Sequence, residues 1–416
     1  MSPPWPRSRS DAGVSGGPGR DSVLIMRIAL VHLKHARTGG TERFLNAIAA
    51  HLAERDHEVT ILCRRHGDPP DPRVRFETLR GFALGAGWRM WTFARAVERH
   101  VAAADYDLVV ALGKTWTHHV IRCGGGCHRS FLEAAGPRAR RAWERALQIG
   151  RFKDLASLAI ERRAYAPGRR GRVIAVSGLV QRDIARVHGV PPEEITVVHN
   201  GVDLEQFHPG LRHSAGGAGA ALRSECGWGE RERVVLFLGR GFARKGLEPL
   251  LRAFPLLLER RPEARLLVVG SDRHERRYRA LADSLGLGER ARWLGERRDP
   301  QVCYGAADAY ALPTRYEPFG FSVLEALATG LPVVTSDRAG AAEVLEDDVG
   351  SVVPVGAADD ELARALDRWL DPALEPELGR RARALAERYG FERSLEATTR
   401  VLMKAAADRG RAGDGA

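Results

Sequence analysis

The sequence predicts an α/β chain with two parallel-sheet domains, and three stretches carry that expectation. Arg27 to Leu33 reads as a compact apolar strand, and the glycine pair Gly39-Gly40 follows it. Thr41 to Glu54 then places Phe44, Leu45, Ile48, Ala49 and Leu52 at helical spacing, so a strand, a glycine turn and a helix open a βαβ unit. The same grammar restarts at Arg233 to Leu238, with Gly239 to Gly246 as the turn and a helix from Leu247. The third stretch is Leu312 to Pro332. Asp308 to Pro313 alternates like a short strand, Pro318 and Gly320 punctuate a loop, and Phe321 to Thr329 has helical composition, with Leu324, Leu327 and Ala328 on one face. Gly330 and Pro332 end that helix.

Between these anchors the elements follow in order. Glu58 to Cys63 is the strand a crossover would deliver, and Asp107 to Leu112 and His118 to Cys123 are further strands. The last runs into Gly124-Gly125-Gly126-Cys127-His128, a loop at a strand's carboxyl end, where open α/β sheets bind ligands; His128 is a candidate site residue or a surface histidine without a role. Residues 129 to 172 hold twelve Lys/Arg against four Asp/Glu, with Phe131, Leu132, Trp143, Leu147, Phe152, Leu155 and Leu158 interleaved. This basic, partly amphipathic region suits anionic headgroups or a phosphorylated acceptor, or else a solvated face over a core. Arg172 to Ser177 and Ile195 to His199 are strands around a helix, and Asn200 to Asp203 is a turn. Gly210 to Ala221, rich in Gly, Ala and Ser, is the expected domain linker.

In the second half, Arg265 to Gly270 and Arg292 to Gly295 are strands, a helix runs through Leu285, Val333 to Ser336 is a strand, and Gly340 to Glu343 starts a helix. Residues from Glu361 onward read as helices. Arg240 and Lys245 stand five apart on a glycine-bounded loop, a pairing that suits a diphosphate: arginine as a forked donor, lysine as a point charge. The Gly-Lys-Ser/Thr ending of a triphosphatase P-loop is absent. Glu317 on the loop and Glu325 about one turn into the next helix would flank an anion at that helix's N-terminal amides. A phosphate attached to something rich in hydroxyls, such as a nucleotide-sugar, fits that pattern.

Composition narrows the function classes. A chain of 416 residues with 44% apolar content can bury a large core and has room for two to three domains. A net charge of +11 and a pI near 9.9 favour an acidic partner, or reflect a general arginine bias. Five scattered cysteines argue against a disulfide framework and for a reducing cytoplasm. Cys123, Cys127 and His128 lack a second ligand cluster, so no metal is expected. No apolar run reaches the roughly 20 residues of a membrane span, and no nucleic-acid-binding motif accompanies the charge. Residues 1–25 read as a disordered extension or as a start placed too early, with Met26 the natural beginning; the tail from Arg409 also reads as disordered.

Several motifs together resemble the retaining nucleotide-sugar glycosyltransferases of the GT-B fold, glycosyl transferases group 1. They are Gly39-Gly40-Thr-Glu-Arg, Gly239-Arg240 through Lys245-Gly246, Glu317-Pro-Phe-Gly-Phe-Ser-Val-Leu-Glu325-Ala and Gly330-Leu-Pro-Val-Val. Within that family, Gly241 to Gly246 and the cysteine-containing loop look most like the lipopolysaccharide-core glucosyltransferases. Those enzymes carry an acid where this chain has Gly124 to Gly126. The resemblance implies two Rossmann-like domains facing across a cleft: an acceptor domain over 26–208 and a donor domain over 209–390, then a helix and tail over 391–416. It implies transfer of a hexose from a UDP-, GDP- or ADP-sugar to a cell-envelope glycan or glycolipid, without a metal, in the cytoplasm or on the inner membrane face. Arg240 and Lys245 would stabilise the leaving diphosphate together with the amides around Gly320 and Phe321. Glu317 would bind the donor sugar, Glu325 the ribose, and His128 would lie near the anomeric carbon. Gly39, Gly40, Gly270, Leu294 and Phe319 complete the implied donor set. The competing readings are an epimerase or phosphorylase-like enzyme on the same scaffold, and a basic membrane- or nucleic-acid-binding protein.

Overall fold

The structure is a computed structural model that describes residues 25–35, 39–67, 71–135, 149–213, 217–374 and 377–413. The expected disordered extension lies outside the described residues except for Ile25, as do Trp143 and Leu147 of the basic region.

Two sheets form, and every strand pair in both is parallel. The first has the order β3-β2-β1-β4-β5-β6-β7. Its strands are β1 (Arg27–Val31), β2 (Glu58–Cys63), β3 (Arg75–Thr78), β4 (Leu108–Ala111), β5 (Val120–Cys123), β6 (Arg172–Ala175) and β7 (Ile195–Val197). The second has the order β10-β9-β8-β11-β12-β13. It comprises β8 (Arg233–Leu238), β9 (Ala264–Val269), β10 (Ala291–Gly295), β11 (Ala309–Leu312), β12 (Val333–Ser336) and β13 (Gly350–Val353). Helices cover both faces, so central strands such as Leu108–Ala111 and Ala309–Leu312 are wholly buried and read as unbroken apolar runs. In each sheet the strand order reverses beside the first strand, at β1/β4 and at β8/β11. Loops leaving the carboxyl ends at such a reversal splay apart and leave a crevice. The Gly39-Gly40 turn, the Gly239–Gly246 turn and the Pro313–Gly320 loop all start there.

Several elements differ from expectation. The described parts of the expected linker over Gly210–Ala221 are helical: Gly210–His213 and Ala218–Glu225 pack on the helix Pro300–Gly305, so closely that a Cβ on Gly219 would overlap the Gly305 backbone. Small residues there permit contact rather than flexibility. The helix Phe391–Gly413 runs well past Arg409. Among the described residues, β3, the helix Gly85–Ala103, the helix Pro300–Gly305 and β13 are elements that the sequence does not announce.

The chain passes between the halves again near its end. Val202 bridges Gly390, the Val202 amide donates to the Tyr389 carbonyl at 3.0 Å, and the Phe391 amide donates to the Val202 carbonyl at 3.0 Å. The helix Phe391–Gly413 then returns to the first sheet, where Leu395, Leu402 and Ala405 share a core with Ile28, Phe44 and Leu108. Among the described residues no helix is long and apolar enough to cross a membrane.

Candidate active site

The Pro313–Gly320 loop is held from below by its own domain. The Thr314 hydroxyl donates to the Arg244 carbonyl at 2.8 Å, and the Gly340 amide donates to the Glu317 carbonyl at 2.8 Å. Gly320 caps the helix Phe321–Ala328 at φ 102°, a region that favours glycine, and it has no side chain to cap the first-turn amides. That helix is buried on every side from Ser322 to Ala328, not only on the face of Leu324, Leu327 and Ala328.

Glu317 points back to the Gly239–Gly246 turn. Its Oε2 accepts from Arg244 Nη1 at 2.8 Å and lies 3.2 Å from Lys245 Nζ. Burial disfavours charge on Glu317, yet the Lys245 and Arg244 cations outweigh it and hold the carboxyl down at about 2. The glycines make this approach feasible. The Lys245 side chain lies across Gly239, where any Cβ would overlap it, and a Cβ on Gly246 would overlap the Pro313 carbonyl. Gly270 sits under the same turn, where a Cβ would overlap the Gly239 carbonyl.

The cation that joins Lys245 on Glu317 is not the one the spacing singles out. Lys245's cationic neighbour is Arg244. Arg240 on the same turn is 75% exposed and donates to Glu296 at 2.6 Å. The five-residue spacing of Arg240 and Lys245 carried no information on side-chain direction, which the short helix Phe242–Lys245 sets. Leu294 lies half-buried on β10 against the core of the second sheet.

Glu325 faces the other domain. Its side chain accepts from Arg43 Nη2 at 2.6 Å and from the Tyr304 hydroxyl at 2.8 Å, and it borders a hinge-side cavity of about 810 Å³. Beside it the Phe321 ring packs on Gly40, where a Cβ would stand 2.6 Å from the ring. Thus the second glycine of the N-terminal turn lets the helices Gly40–Ala53 and Phe321–Ala328 meet end to end across the cleft. Phe319 is buried, its ring 5.9 Å from that of His199.

The first domain also grips the Pro313–Gly320 loop. Tyr316 donates from its hydroxyl to Asp183 Oδ2 at 2.8 Å, and Ser177 donates to the Pro318 carbonyl at 2.6 Å. Gly126 sits against Tyr316 and Pro318 so tightly that a Cβ would overlap the phenol oxygen. Farther out, Glu343 accepts from the Gly178 amide with both oxygens, at 2.8 and 2.9 Å, and from His199 Nε2 at 2.7 Å.

His128 begins the helix His128–Ala134 at the wall of a cavity of about 470 Å³ in the first domain, also lined by Lys34, Lys114, Arg122 and Glu161. Its Nε2 lies 3.0 Å from Asp154 Oδ1, and its amide donates to Glu161 at 3.0 Å. Burial lowers its pKa, with Lys114 adding to the effect and Asp154 opposing it. The neutral form of the imidazole is thereby favoured over the charged one. Cys123 and Cys127 are buried free thiols, and the described residues contain no group of three or more side chains suited to a metal ion.

Arg43, Asp154, Asp183, Arg244, Tyr304 and Tyr316 are the site residues that sequence reasoning missed. Only Arg244 carried a local signal, as a second cation beside Lys245. The others meet their partners across 21 to 282 residues, where no motif or spacing points.

Comparison with known proteins agrees with this architecture. Residues 220–387 match Glycosyl transferases group 1, and residues 38–206 match Glycosyltransferase Family 4. A D-inositol 3-phosphate glycosyltransferase of Streptomyces griseus is 32% identical over 261 residues, covering 58% of this chain and 55% of that protein. The chain spans about half the length of the curated relatives it matches. WaaG, a glycosyltransferase involved in lipopolysaccharide biosynthesis, superposes with a TM-score of 0.74 at 22% identity, over 90% of this chain and 99% of that one. Anabaena HepE in complex with UDP and glucose superposes with a TM-score of 0.67 at 21% identity, over 91% and 100%. At those identities the structural likenesses establish the fold. The two domain matches, which between them span most of the chain, place it in the glycosyl transferases group 1 family, and its fold is the two-domain GT-B fold.

Proposed function

We propose that the protein transfers a hexose from a nucleotide diphosphate sugar to a hydroxyl of a saccharide or lipid-linked acceptor, with retention at the anomeric carbon. One observation carries the reading: a buried carboxylate, Glu317, held between Arg244 and Lys245 at the uncapped N-terminus of the helix Phe321–Ala328. Two cations and a helix end are what a departing nucleoside diphosphate requires, since its charge grows as the sugar bond breaks. Glu317 then binds sugar hydroxyls on the same side. Glu325, framed by Arg43 and Tyr304, receives the ribose when Arg43 yields it. His128, with Asp154 behind it, faces the acceptor side. Arg240, exposed on the same turn, reaches the outer phosphate or sugar once it leaves Glu296.

The UDP and glucose seen with HepE support a UDP-sugar as the first donor to try. Likeness to WaaG supports a role in building the lipopolysaccharide core, and the Streptomyces relative supports an inositol phosphate acceptor. Release of nucleoside diphosphate from the donor should rise well above slow donor hydrolysis when an acceptor is added. An epimerase would instead interconvert the donor without release. A scaffold protein would leave the donor untouched and show no thermal shift with it.

A further inference from the structure

The cavity beside His128 has an unbalanced charge. Among the described residues that line it, the cations Lys34, Lys114, Arg122 and Lys153 face one carboxylate, Glu161. That carboxylate is already committed, since it accepts from the His128 amide at 3.0 Å and lies 3.3 Å from Lys114 Nζ. Burial also raises the Glu161 pKa, which weakens it further as a counter-charge. Asp154 behind the wall is committed to His128. The loop crossing the cavity, Gly124-Gly125-Gly126, brings no acid.

Arg122 is the sharpest anomaly. It is 3% exposed at the carboxyl end of β5, and among the described residues no carboxylate pairs with it. Its Nη2 donates to the Asn200 side-chain oxygen at 2.6 Å, and its guanidinium carbon lies 3.5 Å from the Phe44 ring centroid. Its Nε has no partner among the described residues. An amide oxygen and a ring face offset part of the burial cost of a cation, but buried charges are ordinarily matched by an opposite charge. Burial pulls the Arg122 pKa down to about 9, a sign that the match is incomplete. Its Nη1 lies 3.3 Å from where a Gly124 Cβ would stand, with Thr41 Oγ1 at 3.8 Å from the same point. The glycine leaves room beside the guanidinium.

We propose that this cavity receives an oxyanion carried by the acceptor, a phosphate or a carboxylate, with Arg122 as its buried counter-charge and Lys34 and Lys114 at its rim. The inference rests on the glycosyl-transfer reading and deepens it by naming the acceptor class. The site is separate from Arg244 and Lys245, which belong to the other domain and face the donor.

The test uses the full chain and inorganic phosphate, followed by calorimetry and melting temperature. Wild type is compared with Arg122→Gln, with the double variant Lys34→Gln/Lys114→Gln, and with Lys245→Ala. Phosphate should stabilise wild type and Lys245→Ala, and its affinity should fall about tenfold or more in Arg122→Gln and in the double variant. UDP affinity should hold in both. A phosphate response that survives in Arg122→Gln and the double variant, or that only Lys245→Ala abolishes, overturns the proposal. Loss of UDP affinity in Arg122→Gln also overturns it, because the guanidinium then serves the donor diphosphate. Should Arg122→Gln fail to fold, the double variant at the cavity rim decides.

An acceptor arm completes the test. With donor fixed, sugars bearing a phosphate or carboxylate should be used in preference to their neutral parents, and phosphate should compete with acceptor but not with donor. Donor hydrolysis without acceptor separates the two levels of inference. Hydrolysis with no preference for anionic acceptors overturns this proposal alone. Neither hydrolysis nor transfer with any UDP-, GDP- or ADP-sugar overturns the transfer reading beneath it.

Discussion

Glu317→Gln is the most informative single substitution, because it removes a charge while keeping shape. In the wild type the carboxyl is held at about 2, against an ordinary value of 4.5, with burial opposing and Lys245 and Arg244 favouring the anion. That gap corresponds to about 3 kcal/mol of stability at neutral pH. The figure agrees with the roughly 3–5 kcal/mol lost when one partner of a buried ion pair is removed. For a domain of this size it amounts to a fall of roughly 6–12 °C in Tm. The sign is set by the lowered pKa: the contribution is complete above about pH 4.5 and disappears as pH falls toward about 2. The deficit of Glu317→Gln should therefore be largest near pH 7 and shrink below pH 4.5. Freed of their carboxylate, Arg244 and Lys245 should bind UDP at least as tightly as in the wild type, while sugar transfer is almost lost. Scanning calorimetry at pH 7 and pH 4, UDP titration and a coupled diphosphate-release assay read all three. A variant that melts with the wild type at pH 7 and still transfers sugar would sink the reasoning.

Three further outcomes follow from the same geometry. Lys245→Ala should lower kcat by about 10²-fold, the scale of losing one preorganised donor to developing charge; steady-state turnover at saturating donor measures it, and unchanged kcat removes the residue from the diphosphate site. Tyr316→Phe leaves Asp183 without its phenol donor, and should cost about 1–3 kcal/mol and raise the donor KM more than it lowers kcat. A uniform loss of stability with donor KM intact would make that contact structural only. Gly246→Ala, at φ 83° with its Cβ aimed into the Pro313 carbonyl, should lower Tm severely or prevent soluble expression, whereas a normal melt would mean the turn can rearrange.

Much of the fold is readable because central parallel strands are buried on both faces, so Arg233–Leu238 and Ala264–Val269 stand out as apolar runs. What escapes reading is whatever lacks that signature. The edge strand β3 is Arg-Phe-Glu-Thr with mostly exposed residues, and β13 begins with Gly-Ser; neither alternates in a way that marks a strand. At the site, Glu317 and Glu325 announce themselves by their place around a proline–glycine loop. Their partners do not. Whether Arg240 or Arg244 turns toward Glu317 depends on one helical turn, and Arg43 reaches Glu325 only because two domains close on each other. Arg122 lies within an otherwise apolar strand, where spacing shows nothing about an absent counter-charge.

The return of the helix Phe391–Gly413 to the first sheet has a consequence for how the protein is made. Leu395, Leu402 and Ala405 fill a core whose other members emerge from the ribosome first, Met26 and Ile28 among them. That core stays open to solvent until the helix Phe391–Gly413 has been synthesised, and the second domain can finish folding before the first. Truncation near residue 390 would leave this apolar surface uncovered, even though both parallel sheets would be complete in sequence. Aggregation of such a fragment, with recovery when the helix is supplied in trans, is the behaviour this connectivity predicts.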